Sequence, residues 1–172
     1  KNSGSSGNLR NSFSQGRWIQ DEKGWWYQFV DGTYPKNSWQ YLKYGEREDW
    51  YHFDENGYLQ TGWFRDVDEH WYHLHTVSDG TLGHMETGWF QDKDGLWYYL
   101  NPVSDGHKGA MTVGWRQILD KWYYFNTVSN GTRGSMYAGT VTPDGYLVNE
   151  KGEWTGQRAD YGKTILSAAW KN

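Results

Sequence analysis

Five tryptophans, Trp18, Trp39, Trp63, Trp89 and Trp115, recur along the chain at separations of 21, 24, 26 and 26 residues. A second tryptophan follows each of them: Trp26, Trp50, Trp71, Trp97 and Trp122. The second one opens an aromatic run such as Trp97-Tyr98-Tyr99-Leu100. The chemistry that suits repeated indoles and phenols is capture of a cation, which the negative face of an aromatic ring attracts through its quadrupole. Quaternary ammonium groups donate no conventional hydrogen bond, so a cage of rings is their natural receptor. The structural alternative is that all these rings pack. The chain has 13 Trp, 14 Tyr and 6 Phe. A thin stack of short elements has no room to bury so many large rings, so a subset is left for a ligand.

Other chemistry is poorly supported. His73 and His75 are separated by one residue and would face the same side of a strand, which makes a metal site conceivable. They stand, however, where the next repeat carries Tyr99 and Asn101. Asp66, Asp68 and Glu69 resemble calcium ligands, but the matching Asp92-Lys93-Asp94 has a lysine between. A solvated turn is the better reading, and no metal or cofactor is assigned. No nucleophile elbow or phosphate loop is present, so no catalytic residue is assigned and the chain reads as a non-enzyme.

The elements that must position the rings follow from the repeat. Gly62–Thr87, Gly88–Trp115 and Gly114–Ala138 write the same sentence: Gly-Trp, a polar turn, an aromatic run, a polar loop and a methionine. Self-similarity at a fixed period marks an array of stacked units. The aromatic runs alternate as strands do, with Trp97, Tyr99 and Asn101 on one side and Tyr98 and Leu100 on the other. Asp31-Gly32, Asn56-Gly57, Asp79-Gly80, Asp105-Gly106 and Asn130-Gly131 fit hairpin turns that need positive φ. One hairpin is barely stable alone, whereas stacked hairpins bury each other's rings. The expected fold is all-β, a solenoid of stacked β-hairpins. Residues 17–154 form the module, about five repeats plus a degenerate unit from Gly139 in which Thr140 replaces the opening Trp. Residues 1–16, rich in Ser, Gly and Asn, read as a flexible linker. Residues 155–172 lose the pattern and are unassigned. The loops TVSDG, PVSDG and TVSNG lengthen the later repeats, either as a rim or as longer capped turns.

Mean hydropathy is −0.99, and Leu, Ile and Val are scarce, so rings must supply most of the core. The net charge of −4 and the lack of a basic stripe argue against nucleic acid. With no Cys there are no disulfides, and no apolar run reaches membrane-spanning length.

These repeats resemble the choline-binding, or cell-wall-binding, repeats of Gram-positive bacteria and their phages. Gly88-Trp89, Trp97-Tyr98-Tyr99 and Met111 match the family pattern in full, and the likeness runs from about Arg17 to Trp154. The resemblance implies choline held between consecutive hairpins by the opening Trp, the mid-repeat Trp and an aromatic residue of the next repeat. Carried over, the cages are Trp89 and Trp97 with Tyr123; Trp63 and Trp71 with Tyr98; Trp18 and Trp26 with Tyr51; and Trp39 and Trp50 with Tyr72. Trp115 and Trp122 take Tyr146 as candidate partner, and Met85, Met111 and Met136 are fourth walls. The implied partner is choline-decorated teichoic acid, and the implied location is secreted, at the bacterial cell surface and wall. An α-glucan-binding repeat module, the targeting part of a cell-wall hydrolase and a structural spacer remain as alternatives. The oligomeric state is left open.

Overall fold

The computed structural model describes residues 16–159. The expected linker, apart from Gly16, and the chain beyond Ala159 lie outside the described residues. Within them the regular structure is all strand. Five antiparallel hairpins follow one another: β1 Arg17–Asp21 with β2 Gly24–Gln28, β3 Ser38–Tyr44 with β4 Arg47–Phe53, β5 Gly62–Arg65 with β6 Trp71–Leu74, β7 Gly88–Gln91 with β8 Trp97–Leu100, and β9 Gly114–Ile118 with β10 Lys121–Phe125. A three-stranded sheet ends the described chain, in the order β11 Thr140–Val141, β12 Tyr146–Val148, β13 Trp154–Arg158. The last strand runs past Trp154 into the stretch whose sequence shows no pattern. Among the described residues no helix is long and apolar enough to cross a membrane.

The chain divides into two compact units. The first comprises residues up to Thr87 together with Pro102–Ala110, and the second comprises Gly88–Asn101 with the chain from Met111 onward. In the first, Tyr27, Leu42, Tyr51 and Phe53 form the core, with Trp18, Phe29 and Leu59 packed on it. In the second, Tyr98, Tyr99, Leu100, Tyr124, Phe125 and Val148 are buried.

The rule that builds each hairpin is simple. The second strand of four hairpins ends on a residue that is 0% exposed: Phe53, Leu74, Leu100 or Phe125. Full burial of such a side chain contributes about 1.5–3 kcal/mol. The chain then turns back and pairs with it through one bridging residue, Leu59, Met85, Met111 or Met136 respectively. The Asp-Gly and Asn-Gly turns have the expected positive φ. They lie, however, in this returning arm and not between the paired strands. The strand-to-strand connections are instead Glu22-Lys23, Gly45-Glu46, residues 66–70 and 92–96, and Leu119-Asp120. The reason is local hydrogen bonding. Asp79 Oδ1 accepts from both the amide and the hydroxyl of Thr81, and Asn130 Oδ1 does the same for Thr132.

Strict alternation also fails after the first residue of the run. Tyr98, Tyr99, Leu100 and Asn101 are all buried, and Trp97 is exposed. Both faces of the strand are covered, because Tyr98 packs on Phe90 while Tyr99 packs on Trp89 and Phe125.

From the third repeat on, a further glycine seats the bridging residue of the repeat before. A Cβ on Gly83 would meet Leu59, and on Gly109, Gly134 and Gly152 it would meet Met85, Met111 and Met136. At Gly134 the nearest atom, Met111 Sδ, would lie at 2.3 Å, and φ is +86°. Gly131 has a similar φ of +92° with nothing within 4 Å. Alanine at either position incurs the left-handed backbone cost, about 1–2 kcal/mol. Gly134→Ala should add an overpacking cost of about 1–3 kcal/mol. Urea unfolding of the two variants is the check, and equal midpoints would refute the seating role.

Candidate functional site

The opening tryptophan of each hairpin lies directly across from an aromatic residue of its own second strand. Register pairs Trp18 with Tyr27, Trp39 with His52, Trp63 with His73, Trp89 with Tyr99 and Trp115 with Tyr124. Ring centroids in these pairs are 5.2, 4.9, 4.8, 5.1 and 5.2 Å apart, all edge to face. The same indole reaches forward to the next repeat. Trp18 meets Tyr51 at 4.9 Å, Trp39 meets Tyr72 at 5.1 Å, Trp89 meets Tyr123 at 4.9 Å and Trp115 meets Tyr146 at 5.6 Å. Burial, then nearby acidic charge, pushes the phenol of Tyr51 up to about 12, so this ring remains neutral at physiological pH.

The mid-repeat tryptophans face outward. Trp50, Trp71, Trp97 and Trp122 are 37, 37, 41 and 40% exposed. A purely packing role would bury them, so these rings present a face to solvent. Trp97 stands 6.4 Å from Trp89, at 83°.

The aromatic group around Trp115 is the most complete. Trp115, Trp122, Tyr146 and Trp154 line one open cleft together with Asp144. Tyr146 and Trp154 meet edge to face at 5.9 Å. Trp115 Nε1 donates to Asp144 Oδ2 at 2.8 Å. Burial opposes ionisation of Asp144, but hydrogen bonds from Thr142 and Trp115 outweigh it and hold its pKa below the usual value. The cleft therefore carries four rings and a negative charge at its edge. Sequence reasoning named Tyr146 and missed Trp154, which closes a unit that has lost its Gly-Trp opening.

In the first repeat the cavity is lined by Trp18, Trp25, Tyr44, Tyr51 and Leu59, with Ser78, Gly80 and Leu82. Trp26 lies instead against Tyr34 at 5.6 Å. The register explains the difference. Trp25 pairs with Gln20 as Trp97 pairs with Gln91 and Trp122 with Gln117, whereas Trp26 pairs with Ile19. A spacing of 7 from Trp18, the same as from Trp115 to Trp122, was the signal available in the sequence.

Trp39 and Trp50 are 11 residues apart because β3 and β4 are each 7 residues long. Trp50 packs on Tyr41 at 5.3 Å and lines a polar cavity with Arg47, Asp49, His84 and Glu86. Trp39 Nε1 donates to Asp66 Oδ2 at 2.7 Å. Trp63 and Trp71 belong to the first unit and Tyr98 to the second. Tyr98 is buried on Phe90, with its hydroxyl 3.3 Å from Asp94.

The bridging residues dock on the mid-repeat tryptophan of the preceding repeat. The amides of Leu59, Met85 and Met136 donate to the carbonyls of Trp25, Trp50 and Trp97 at 2.7, 2.8 and 2.7 Å. Met111 bridges to Leu100, and its side chain sits on Gly134.

The histidines expected to share a strand face do other work. His73 takes the place of Tyr99 against its own opening indole. His75 contacts Glu86 Oε1 through Nδ1 at 2.9 Å and Asp79 Oδ2 through Nε2 at 3.1 Å. Burial opposes protonation of His75, but these two carboxylates outweigh it and raise its pKa. Burial likewise opposes ionisation of Glu86, and contacts with His73 and His75 overcome it and lower its pKa.

Comparison with known proteins agrees with this fold. The model of the cell wall binding repeat family matches residues 37–59, 61–74, 87–102 and 113–127. These are the second to fifth hairpins. The lysin of Pneumococcus phage Dp-1 is 38% identical over 52 residues, 30% of this chain and 17% of the lysin. The crystal structure of choline-binding protein F of Streptococcus pneumoniae in complex with ipratropium is similar, with 37% identity and a TM-score of 0.63 over 80% of this chain and 38% of that chain. The multimodular pneumococcal cell wall endolysin of phage Cp-1, solved with choline, has 34% identity and a TM-score of 0.52 over 83% of this chain and 38% of that one. The chain thus spans well under half the length of these relatives.

The His75 network predicts a pH window. His75 has a raised folded pKa, so its contribution is full below its usual 6.5 and is lost as pH rises through the folded value. Glu86 has a lowered folded pKa, so its contribution is full above its usual 4.5 and is lost as pH falls through the folded value. The difference in melting temperature between the unmodified chain and Glu86→Gln should be largest between about pH 4.5 and 6.5 and shrink on both sides. A difference that does not change with pH would exclude the linkage.

Proposed function

From repeats that belong to the cell wall binding repeat family, we propose that this chain is a noncatalytic attachment module that binds choline groups of teichoic or lipoteichoic acid on a bacterial wall. The observation that carries the reading is the forward edge contact of the opening indole, repeated in Trp18–Tyr51, Trp39–Tyr72, Trp89–Tyr123 and Trp115–Tyr146. Beside the contacts of Trp18, Trp89 and Trp115 a second indole, Trp25, Trp97 or Trp122, offers a further ring. A trimethylammonium group fits such a set, because three or more ring faces supply attraction without needing a hydrogen-bond donor from the ligand. Asp144 at the edge of the Trp115 cleft suits a cation and gives a neutral sugar no comparable advantage. The proposed cages are Trp18, Trp25, Tyr51 with Leu59; Trp39, Trp50, Tyr72 with Met85; Trp89, Trp97, Tyr123 with Met136; and Trp115, Trp122, Tyr146, Trp154. Secretion of the parent protein, and any catalytic domain joined to this module, belong to the same proposal.

Choline at tens of millimolar, the order expected for a weak site, should change Trp fluorescence and raise the melting temperature, since a ligand of the native state stabilises it. Maltose and isomaltose oligomers should do neither. A melt that shifts with glucan and not with choline would replace this reading with the glucan-binding one. Retention on an immobilised quaternary amine should survive strong NaCl and reverse with free choline, because close, partly desolvated contacts are weakly screened.

Trp25 and Trp26 provide the sharper test. Trp25→Ala should weaken one choline site by about 1–2 kcal/mol, while Trp26→Ala should leave choline stoichiometry unchanged. Calorimetric titration of both variants reads the result, and the opposite pattern would return Trp26 to the cage. Trp97→Ala should also remove one site with its urea midpoint, measured without choline, nearly unchanged. An intact stoichiometry with a drop on the order of 3–5 kcal/mol in stability would make Trp97 a packing residue.

A further inference from the structure

A group of side chains outside every proposed cage carries its own chemistry. We propose that Asp68, His70 and His107 form a binding site for a divalent transition metal ion of the zinc class.

All three lie in the first unit. Asp68 and His70 sit in the connection between β5 and β6, and His107 sits in the returning arm after β8. One ligand atom from each lies within 4.8 Å of the others. His70 Nδ1 and His107 Nδ1 are each 3.5 Å from Asp68 Oδ2. Bonds of about 2.0–2.2 Å in tetrahedral geometry put neighbouring ligand atoms about 3.3–3.6 Å apart. The two imidazole–carboxylate separations therefore match those of a coordinated set. The imidazole rings are 4.5 Å apart and tilted by 31°, so both are presented to the same place. Asp68 is fixed from behind: its Oδ1 accepts from the His70 amide at 2.9 Å and its Oδ2 from the Tyr72 hydroxyl at 2.7 Å. Such outer partners orient a metal-ligating carboxylate. Asp68 and His107 are exposed and His70 half-buried, which leaves an open side for water as a fourth ligand.

The repeat itself singles these residues out. The position of His70 is held by Leu96 in the next repeat, while Asp68 and Tyr72 match Asp94 and Tyr98. The position of His107 is held by Thr81 and Thr132 in its siblings, where the hydroxyl bonds to Asp79 or Asn130. Two histidines thus replace repeat residues of different chemistry, in different repeats, and meet at one carboxylate. Stacking of the array needs neither substitution. Two imidazoles and one carboxylate suit Zn²⁺, Ni²⁺ or Cu²⁺, whereas Ca²⁺ and Mg²⁺ prefer sets built wholly of oxygen.

The test uses the whole chain and sibling residues as substitutions, so that the repeat fold is retained. Zn²⁺ titrated calorimetrically should bind one equivalent and raise the melting temperature, and Ca²⁺ should bind at least tenfold more weakly. His107→Thr and His70→Leu should each weaken Zn²⁺ binding at least tenfold and abolish the thermal shift. Choline titration of the same variants should be unchanged, which separates this site from the cages. Absence of Zn²⁺ binding by the unmodified chain, or wild-type affinity in either variant, would overturn the proposal.

Discussion

Four opening indoles, Trp18, Trp39, Trp89 and Trp115, are each wedged between two aromatic edges, one across the indole's own hairpin and one in the repeat that follows. Trp89 shows the arrangement, with Tyr99 at 5.1 Å and Tyr123 at 4.9 Å. An edge-to-face pair is worth about 0.5–1.5 kcal/mol beyond its buried area. A two-stranded hairpin of four or five residues per strand cannot hold itself together in water. The forward contact is what makes one hairpin the support of the next. It also leaves the mid-repeat indole on the outside, where a strand of a conventional sheet would have buried it.

The returning arm completes this logic. A fully buried Phe or Leu ends each of these second strands, and a Leu or Met bridges back to it. The amides of Leu59, Met85 and Met136 then donate to the carbonyl of a tryptophan one repeat earlier. Methionine suits the position, since its flexible thioether fills an irregular gap beside rings. The glycine beneath it must lack a Cβ for the chain to approach so closely. The contacts that stabilise a repeat are thus the contacts that shape the proposed cage beside it. In such an array stability is nearly a sum of nearest-neighbour terms, so damage to one repeat interface should remain local.

Histidine has three separate uses in this chain. His52 and His73 replace a tyrosine against their own indole, keeping an aromatic edge where the array needs one. His75 ties its loop to Glu86 and Asp79 through charge and hydrogen bonds. His70 and His107 serve neither purpose, and their convergence on Asp68 is the reason a metal is proposed there.

The amino-acid sequence by itself determined the architecture: the repeat period, the hairpins, the aromatic core and the outward indoles all follow from side chains that recur at fixed offsets. The same offsets also picked out the opening tryptophans, while their forward tyrosines came from the resemblance to the cell-wall-binding repeats. Only the tertiary structure decided which of two adjacent tryptophans faces the first cavity. A one-residue change of register moves a side chain to the other face of a strand, and Trp25-Trp26 offers an indole for either choice. It likewise decided that Trp154 joins Trp115, since a closing strand is placed by its pairing partner and not by its own pattern. The meeting of His70 with His107 was equally hidden. They are 37 residues apart in the sequence, and only the packing of a turn against a returning arm brings both to one carboxylate.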